Sequence, residues 1–554
     1  MKRTLSILLL FTLSSIIVFA DHPVKVVNKF GQLVSPPVVG TEESKEIIPN
    51  RCETGRALLQ TRAIIGKNRY IPTNLGAATT IRIPVILAAF QDQNFTINQV
   101  KTAFEQFFNK MEPLDDFGNN NNKNNGSVKS YFKDMSNGAF NLQFDIYGPV
   151  TLPQKTGYYG GSNPNNSSDE KRDEMVADAV NLIKGSVSDA SIYDANNDGV
   201  IDCVYVVYAG LGQNNGGQAN TVWACTSTVN GALGDKKLGF YSICAELQPY
   251  KVKKESDAMC ITGIGVSCHE LSHAMGLPDI YPLTHTSGYK QHNQNMEYWD
   301  LMDGGEYKAN GWYPTAYTAW EKSQMGWQVD IQELNSSQHV SMPKTTVDQG
   351  RVYKIPNSHD PNEYFLLENI QNEGWNYGGQ NAHGLLIYHV CFPTPDTYMS
   401  MSVNGVKGKP NMAVVPADGR CYSYDLLPNN SQAKKIYYQE LAGDPFPGSS
   451  NTGELTDLSN IPNFYWYTQD GSAEKALLNP DYFKTDLALK NITETDGTIS
   501  FDFYKNISTG ISPTPKYNLW NSSIYNLNGN YMGKDLQKLP RGIYVVNGKK
   551  IIIP

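Results

Sequence analysis

The stretch Gly265–Tyr281, GVSCHELSHAMGLPDIY, limits what the chain can be more than any other. His269 and His273 stand at positions i and i+4, so on a helix they share one face and can reach one metal ion together. Glu270 lies beside the first of them, placed to take a proton from a metal-bound water. Gly276 tolerates φ > 0, which lets the helix stop and the chain turn back. That turn offers Asp279 as a third, oxygen ligand and leaves a fourth position for water. A surface helix with two histidines by chance is the plain alternative. The glycine and the acidic residue at their spacings favour a zinc hydrolase centre instead.

The first twenty residues have the form of a signal peptide: Lys2 and Arg3, an apolar run from Leu5 to Val18, and small residues before Asp21. The run is short and broken by serines, unlike a membrane span, and no later stretch is apolar enough to cross a bilayer. The expectation is an exported protein, secreted or attached to the cell surface, with no transmembrane segment in the mature chain. A net charge of -8 argues against nucleic acid as a partner. Eight cysteines permit disulfides but are too sparse for a disulfide scaffold, and no CxxC pair is present.

A chain of 554 residues holds about two to four domains. Residues 21–78 carry little periodicity and read as a short propeptide, in which Cys52 is a candidate latency ligand for zinc against an idle thiol or a disulfide. Regular structure is expected from Ile81: IRIPVILAAF reads as a buried strand. Thr96-x-x-Gln99 reads as a capping box before a helix, and Asn-rich 118–126 as a loop. Phe140–Ile146 and Cys203–Tyr208 read as strands and Ser168–Lys184 as a helix. Leu238–Leu247 has strand character and is expected at a sheet edge where an extended peptide can pair with it, the alternative being an internal strand. Pro314 is expected to open a helix that ends at Gly326.

In YDANNDGVID, Asp194, Asn196, Asp198, the carbonyl of Val200 and Asp202 alternate as in the first half of a calcium loop, with Gly199 at the turn. The twelfth position is Tyr205, so this is not an EF-hand, and a structural calcium site stands against a plain Asx-rich turn. Downstream, Trp299-Asp300-Leu301-Met302 places a methionine where it can floor a zinc site.

Residues from about Ile81 to Trp327 resemble the immune inhibitor A-type family of secreted bacterial metallopeptidases. The resemblance is carried by IPVILAAFQDQ, YFKDMSNGAF, YDANNDGVID, VYVVYAG, CHELSHAMGLPDIY, WDLMDGG and AWEKSQMGW. It implies an α/β (α+β) zincin-like catalytic domain over 79–329, with a mixed sheet and an active-site helix. It also implies a zinc endopeptidase made as a zymogen and acting on proteins or peptides. Zinc would be held by His269, His273 and Asp279, with Glu270 as general base and Met302 in a methionine turn. Glu297, or another residue of the intervening loop, competes with Asp279 for the third position. Residues 330–507 are expected to form an all-β domain, in which His383 and His389 have no catalytic part. Residues 508–554 end in a hairpin turned at Asn547-Gly548 and resemble the C-terminal segments of exported Bacteroidetes proteins, which implies a sorting signal read by secretion machinery. A zinc amidohydrolase acting on cell-wall or glycan substrates, and an inactive adhesion module, are the rival functions.

Overall fold

The computed structural model describes residues 71–506 apart from 77, 112–125, 164–165, 170, 253–254, 282–294, 345–349, 377–381, 393–402, 405–409, 421–440, 460 and 468–483. It also describes 26–27 and 33–34 and, in the tail, 524–526, 530–533, 542–546 and 549–553. The expected signal peptide, Cys52 and the asparagine run at 118–125 lie outside these residues. The chain divides into two compact units, Met1–Tyr504 and Lys505–Pro554.

In the first unit the elements are β1 (Val26–Val27), β2 (Leu33–Val34), β3 (Thr80–Ala89), α1 (Val100–Asn109), α2 (Val128–Met135), β4 (Asn141–Thr151), α3 (Arg172–Ile183), β5 (Val204–Leu211), β6 (Cys225–Thr228), β7 (Phe240–Val252), β8 (Glu255–Ile261), α4 (Ile264–Ala274) and α5 (Ala319–Met325). Their strands form one mixed, eight-stranded sheet in the order β2-β1-β8-β7-β5-β3-β4, with β6 also pairing β7. Strands β4, β3, β5 and β7 run parallel, and β6 and β8 pair antiparallel to β7. Alternate residues of β3 and β5 enter two different cores: Ile83, Val85, Tyr205 and Val207 face one, Ile86, Ala88, Val204 and Val206 the other. A sheet covered on both faces reads as a continuous apolar run, which is why IRIPVILAAF lacks alternation. Helix α3 covers one face with Met175, Val176, Ala179, Val180 and Ile183, and α4 covers the other with Ile264, Cys268 and Leu271.

Three sequence expectations are corrected. Leu238–Leu247 is not an edge: β7 pairs β5 on one side, and β6 and β8 share the other. Thr96 does not cap α1. Gln99 is the cap residue, left-handed at φ 54°, and the amides of Thr96 and Ile97 donate instead to Glu246 Oε1 on β7, at 2.7 and 2.9 Å. Helix α5 begins at Ala319 rather than at Pro314, because Thr318 and Glu321 form a reciprocal capping box there; Gly326, at φ 72°, closes it as expected.

Beyond α5 lie β9 (Ile331–Glu333), β10 (Gln338–Met342), β11 (Val352–Asn357), β12 (Asp360–Ile370), β13 (Gly384–Cys391), β14 (Met412–Val414), β15 (Leu455–Thr456), β16 (Leu487–Thr495) and β17 (Thr498–Lys505). They form two sheets, β9-β11-β12-β13-β14 and β10-β17-β16-β15. The five-stranded sheet has two apolar faces. Ile355, Phe365, Leu367 and Ile387 join Val340, Leu489 and Phe501 of the other sheet in one core. Val352, Leu366, Tyr388 and Val390 join the core under α4. The eight-stranded sheet with its helices and the following sheet therefore share apolar interior. In the second unit the four strands at 524–526, 531–533, 542–546 and 549–553 make a separate sheet, with Val546 opposite Lys549.

Glu246 is fully buried and also accepts from the Gly210 amide at 2.9 Å. Burial outweighs these three amide bonds and raises its carboxyl from 4.5 to about 7. The folded chain thus holds this proton more tightly than the unfolded chain does. The resulting stabilisation is complete below about pH 4.5 and is lost as pH rises through about 7. Glu246→Gln is expected to flatten that part of the stability–pH curve in urea melts. It should also cost about 1–3 kcal/mol at low pH, because one buried amide loses its acceptor.

Candidate metal centre

Every residue of α4 is buried. The chain segment around Glu306 passes so close that a Cβ on Gly265 would sit 1.9 Å from the Glu306 carbonyl, so the first turn of α4 requires glycine. The helix ends at Ala274 with Met275 as its cap, and Gly276 follows at φ 104°, the turn its sequence position predicts.

This turn brings Asp279 back to the histidines. His269 Nε2 and His273 Nε2 are 3.1 Å apart, and Asp279 Oδ1 lies 3.2 Å from each. All three residues are at most 2% exposed. Among the described residues they are the group of three whose ligand atoms lie within 4.8 Å of one another; Glu297 is not in it. The other ring nitrogens are tied down: His269 Nδ1 to the Leu301 carbonyl at 3.1 Å, His273 Nδ1 to the Leu277 carbonyl at 2.7 Å. A carbonyl only accepts, so each Nδ1 carries a proton, and in the neutral ring each Nε2 then presents a lone pair. Two lone pairs and a carboxylate oxygen converging in a buried space repel one another unless a cation lies between them. Zinc with ligands at about 2.0–2.2 Å in tetrahedral geometry separates its donors by about 3.3 Å, close to this triangle.

Glu270, 2% exposed, accepts a hydrogen bond at Oε2 from the hydroxyl of Thr226 on β6, at 2.9 Å. Thr226 Oγ1 also lies 2.6 Å from the Glu270 carbonyl and 2.8 Å from the Ser242 hydroxyl. Met302 is fully buried. Its amide donates to Asp300 Oδ1 at 2.7 Å, and its carbonyl accepts from Ile280, next to Asp279, at 2.8 Å. The turn thus reaches both sides of the donor triangle: Leu301 holds His269, and Met302 holds the loop of Asp279. Glu297 is buried in the same turn, its amide donating to Asp303 at 2.7 Å.

The loop at 194–202 stands apart from this centre. Asp194 accepts from the amides of Asp198 and Gly199 at 2.9 and 3.0 Å, and Lys236 Nζ lies 2.7 Å from it. Asn196 donates to Asp198 at 2.9 Å, the Val200 amide donates to Asp198 at 2.9 Å, and Asp202 accepts from Ala195 at 3.0 Å. Burial first, then the charges of Asp194 and Asp198, raise Asp202 to about 7. His389 and His383 are spent on carboxylates, Glu363 at 2.9 Å and Glu494 at 2.8 Å. The described cysteines Cys203, Cys225, Cys244, Cys268 and Cys391 are buried.

A mixed sheet carrying a buried His-Glu-x-x-His helix, with an aspartate closing the donor set, defines a metallopeptidase catalytic domain. Residues 71–330 match the immune inhibitor A peptidase M6 catalytic domain. The chain is 25% identical over 334 residues to the pre-pro-metalloprotease PrtV of Vibrio cholerae, covering 51% of this chain and 35% of that protein. It is 26% identical over 226 residues to immune inhibitor A of Bacillus thuringiensis subsp. alesti, covering 35% of this chain and 31% of that protein. The match thus spans about a third of the length of these curated relatives. No helix among the described residues is long and apolar enough to cross a membrane.

Thr226 has no counterpart in the sequence reading: a threonine in a short strand carries no signal of what it faces. Thr226→Val is expected to lower stability by about 1–3 kcal/mol in denaturant melts, because it leaves a buried carboxylate oxygen without this donor. Thr226→Ser should restore most of the loss.

Proposed function

We propose that the protein is a secreted, zinc-dependent endopeptidase with a zincin-like catalytic fold. The observation that carries this is the buried triangle of His269 Nε2, His273 Nε2 and Asp279 Oδ1, with both histidine tautomers set by carbonyls. These three residues would hold zinc. When bound, zinc polarises the scissile carbonyl and lowers the pKa of its water toward neutrality. Glu270 takes the proton of that water and passes it to the departing amine. The bond from Thr226 to Oε2 supports this role by fixing the carboxylate, so that the proton is taken at Oε1. Proteins or peptides are the substrates, and the tail from 508 is a candidate signal for export machinery.

The prosegment reading of 21–78 is supported by β1, whose Val27 pairs with Met259 of β8, the strand leading into α4. Calcium at Asp194, Asn196, Asp198, Val200 and Asp202 is supported by their spacing and by the amide bonds that Asp194 accepts from the turn. Lys236 is the competing cation there. Added calcium should raise the melting temperature of the protein, and Asp198→Ala should abolish that rise; an unchanged melting temperature would leave Lys236 as the counter-ion.

Glu270→Gln is expected to retain stoichiometric zinc by metal analysis and to lose at least about a hundredfold in casein hydrolysis. A chelator should abolish wild-type cleavage and added zinc restore it. Cleavage at the wild-type rate by Glu270→Gln would remove Glu270 from the role of base.

A further inference from the structure

Two loops hold the metal-binding side chains in place beside α4, one carrying Asp279 and one orienting His269, and both loops are tied to residues far downstream. The first loop is the one that carries Asp279. The carbonyl of Ile280 accepts a hydrogen bond from the side-chain amide of Asn404, which is fully buried and left-handed at φ 52°. That amide is fixed on its other sides. Nδ2 also donates to the Met412 carbonyl at 3.1 Å, Oδ1 accepts from the amides of Asn411 and Met412 at 2.6 and 3.0 Å, and the Asn404 amide donates to Asn411 Oδ1 at 2.9 Å. Asn404 is therefore a rigid donor built onto the strand Met412–Val414 and aimed at the residue beside Asp279.

The second loop is the methionine turn, which orients His269 through the Leu301 carbonyl. Its Trp299 indole donates to Asp444 Oδ2 at 2.8 Å, and Asp444 is buried against the same five-stranded sheet: its carbonyl accepts from Ala417, and the neighbouring Phe446 pairs with Leu385 of β13. A third tie joins the Val414 amide to the Asn295 carbonyl at 3.3 Å, just before the turn.

We infer that the sheet following the peptidase fold is a working part of the metal centre, with Asn404 and Asp444 as positioning residues for Asp279 and His269. The inference rests on the metallopeptidase reading. A neighbouring module that merely packed against the site would satisfy its own polar groups. Here a side-chain amide and a carboxylate from that module are spent on the two segments that carry or orient ligands. Groups at this remove from a metal ion set how long the ion stays, because they hold its ligands in the bound geometry.

The test uses the full chain loaded with zinc and follows zinc transfer to an excess of a chromogenic chelator. Asn404→Asp keeps the acceptor for the Asn411 and Met412 amides but, ionised, has no proton for the carbonyls of Ile280 and Met412. Asp444→Ala removes the acceptor of Trp299, whereas Asp444→Asn keeps one. Val340→Ala, in the apolar core between the two downstream sheets, serves as a control for general loss of stability. Asn404→Asp and Asp444→Ala are expected to release zinc about tenfold faster than wild type. In both, kcat should fall while KM holds. Asp444→Asn and Val340→Ala should release zinc at the wild-type rate. Wild-type release rates in both folded variants would overturn the inference, as would equal acceleration by Val340→Ala. If Asn404→Asp fails to fold, Asp444→Ala against Asp444→Asn decides alone. A wild-type chain that binds no zinc would instead sink the metallopeptidase reading beneath it.

Discussion

Two backbone carbonyls determine the chemistry of the site. Leu277 and Leu301 each accept from a histidine Nδ1, and this turns both Nε2 lone pairs toward the Asp279 carboxylate. Without those bonds the imidazoles could change tautomer, and a buried pair could share a proton instead of holding a metal. Each carbonyl has its own source. Leu277 belongs to the turn that Gly276 permits, and Leu301 to the turn that Asp300 closes through the Met302 amide. The donor triangle is thus a product of two turns and one helix, and each must be held.

Burial on every side of α4 holds them. The sheet lies on one side, the segment around Glu306 presses on Gly265, and the apolar core continues into the downstream sheet through Leu366, Tyr388 and Val390. Such burial raises the cost of any unmatched polar group, and three polar residues inside are matched from a distance: Glu246 by three amides, Glu270 by Thr226, Asn404 by Asn411, Met412 and Ile280. At Glu246 burial exceeds even that support, and the carboxyl still rises to about 7.

The elements near this centre were legible in the sequence to different degrees. Periodicity found α3, which starts at Arg172 rather than Ser168, and Gly276 and Gly326 marked helix ends, because those signals act within a few residues. Reading Thr96 as a cap failed because a carboxylate 150 positions away, Glu246, reaches the same amides. Reading Leu238–Leu247 as an edge failed because strand order is not written into a strand's own residues. A charged residue inside that apolar run was the one local sign that something had to meet it.

By itself the sequence determined the candidate set: two histidines one helical turn apart, a glutamate between them, and an aspartate beyond a glycine that can reverse the chain. Those are local facts, governed by helical pitch and by the conformational freedom of one residue. Only the tertiary structure decided that Asp279 rather than Glu297 meets the histidines and which carbonyls set their tautomers. It also decided that Thr226 reaches Glu270, and Asn404 the loop of Asp279, from positions remote in the chain. Such contacts depend on how sheets stack and loops close, and a short polar side chain gives no advance sign of what it will face once buried.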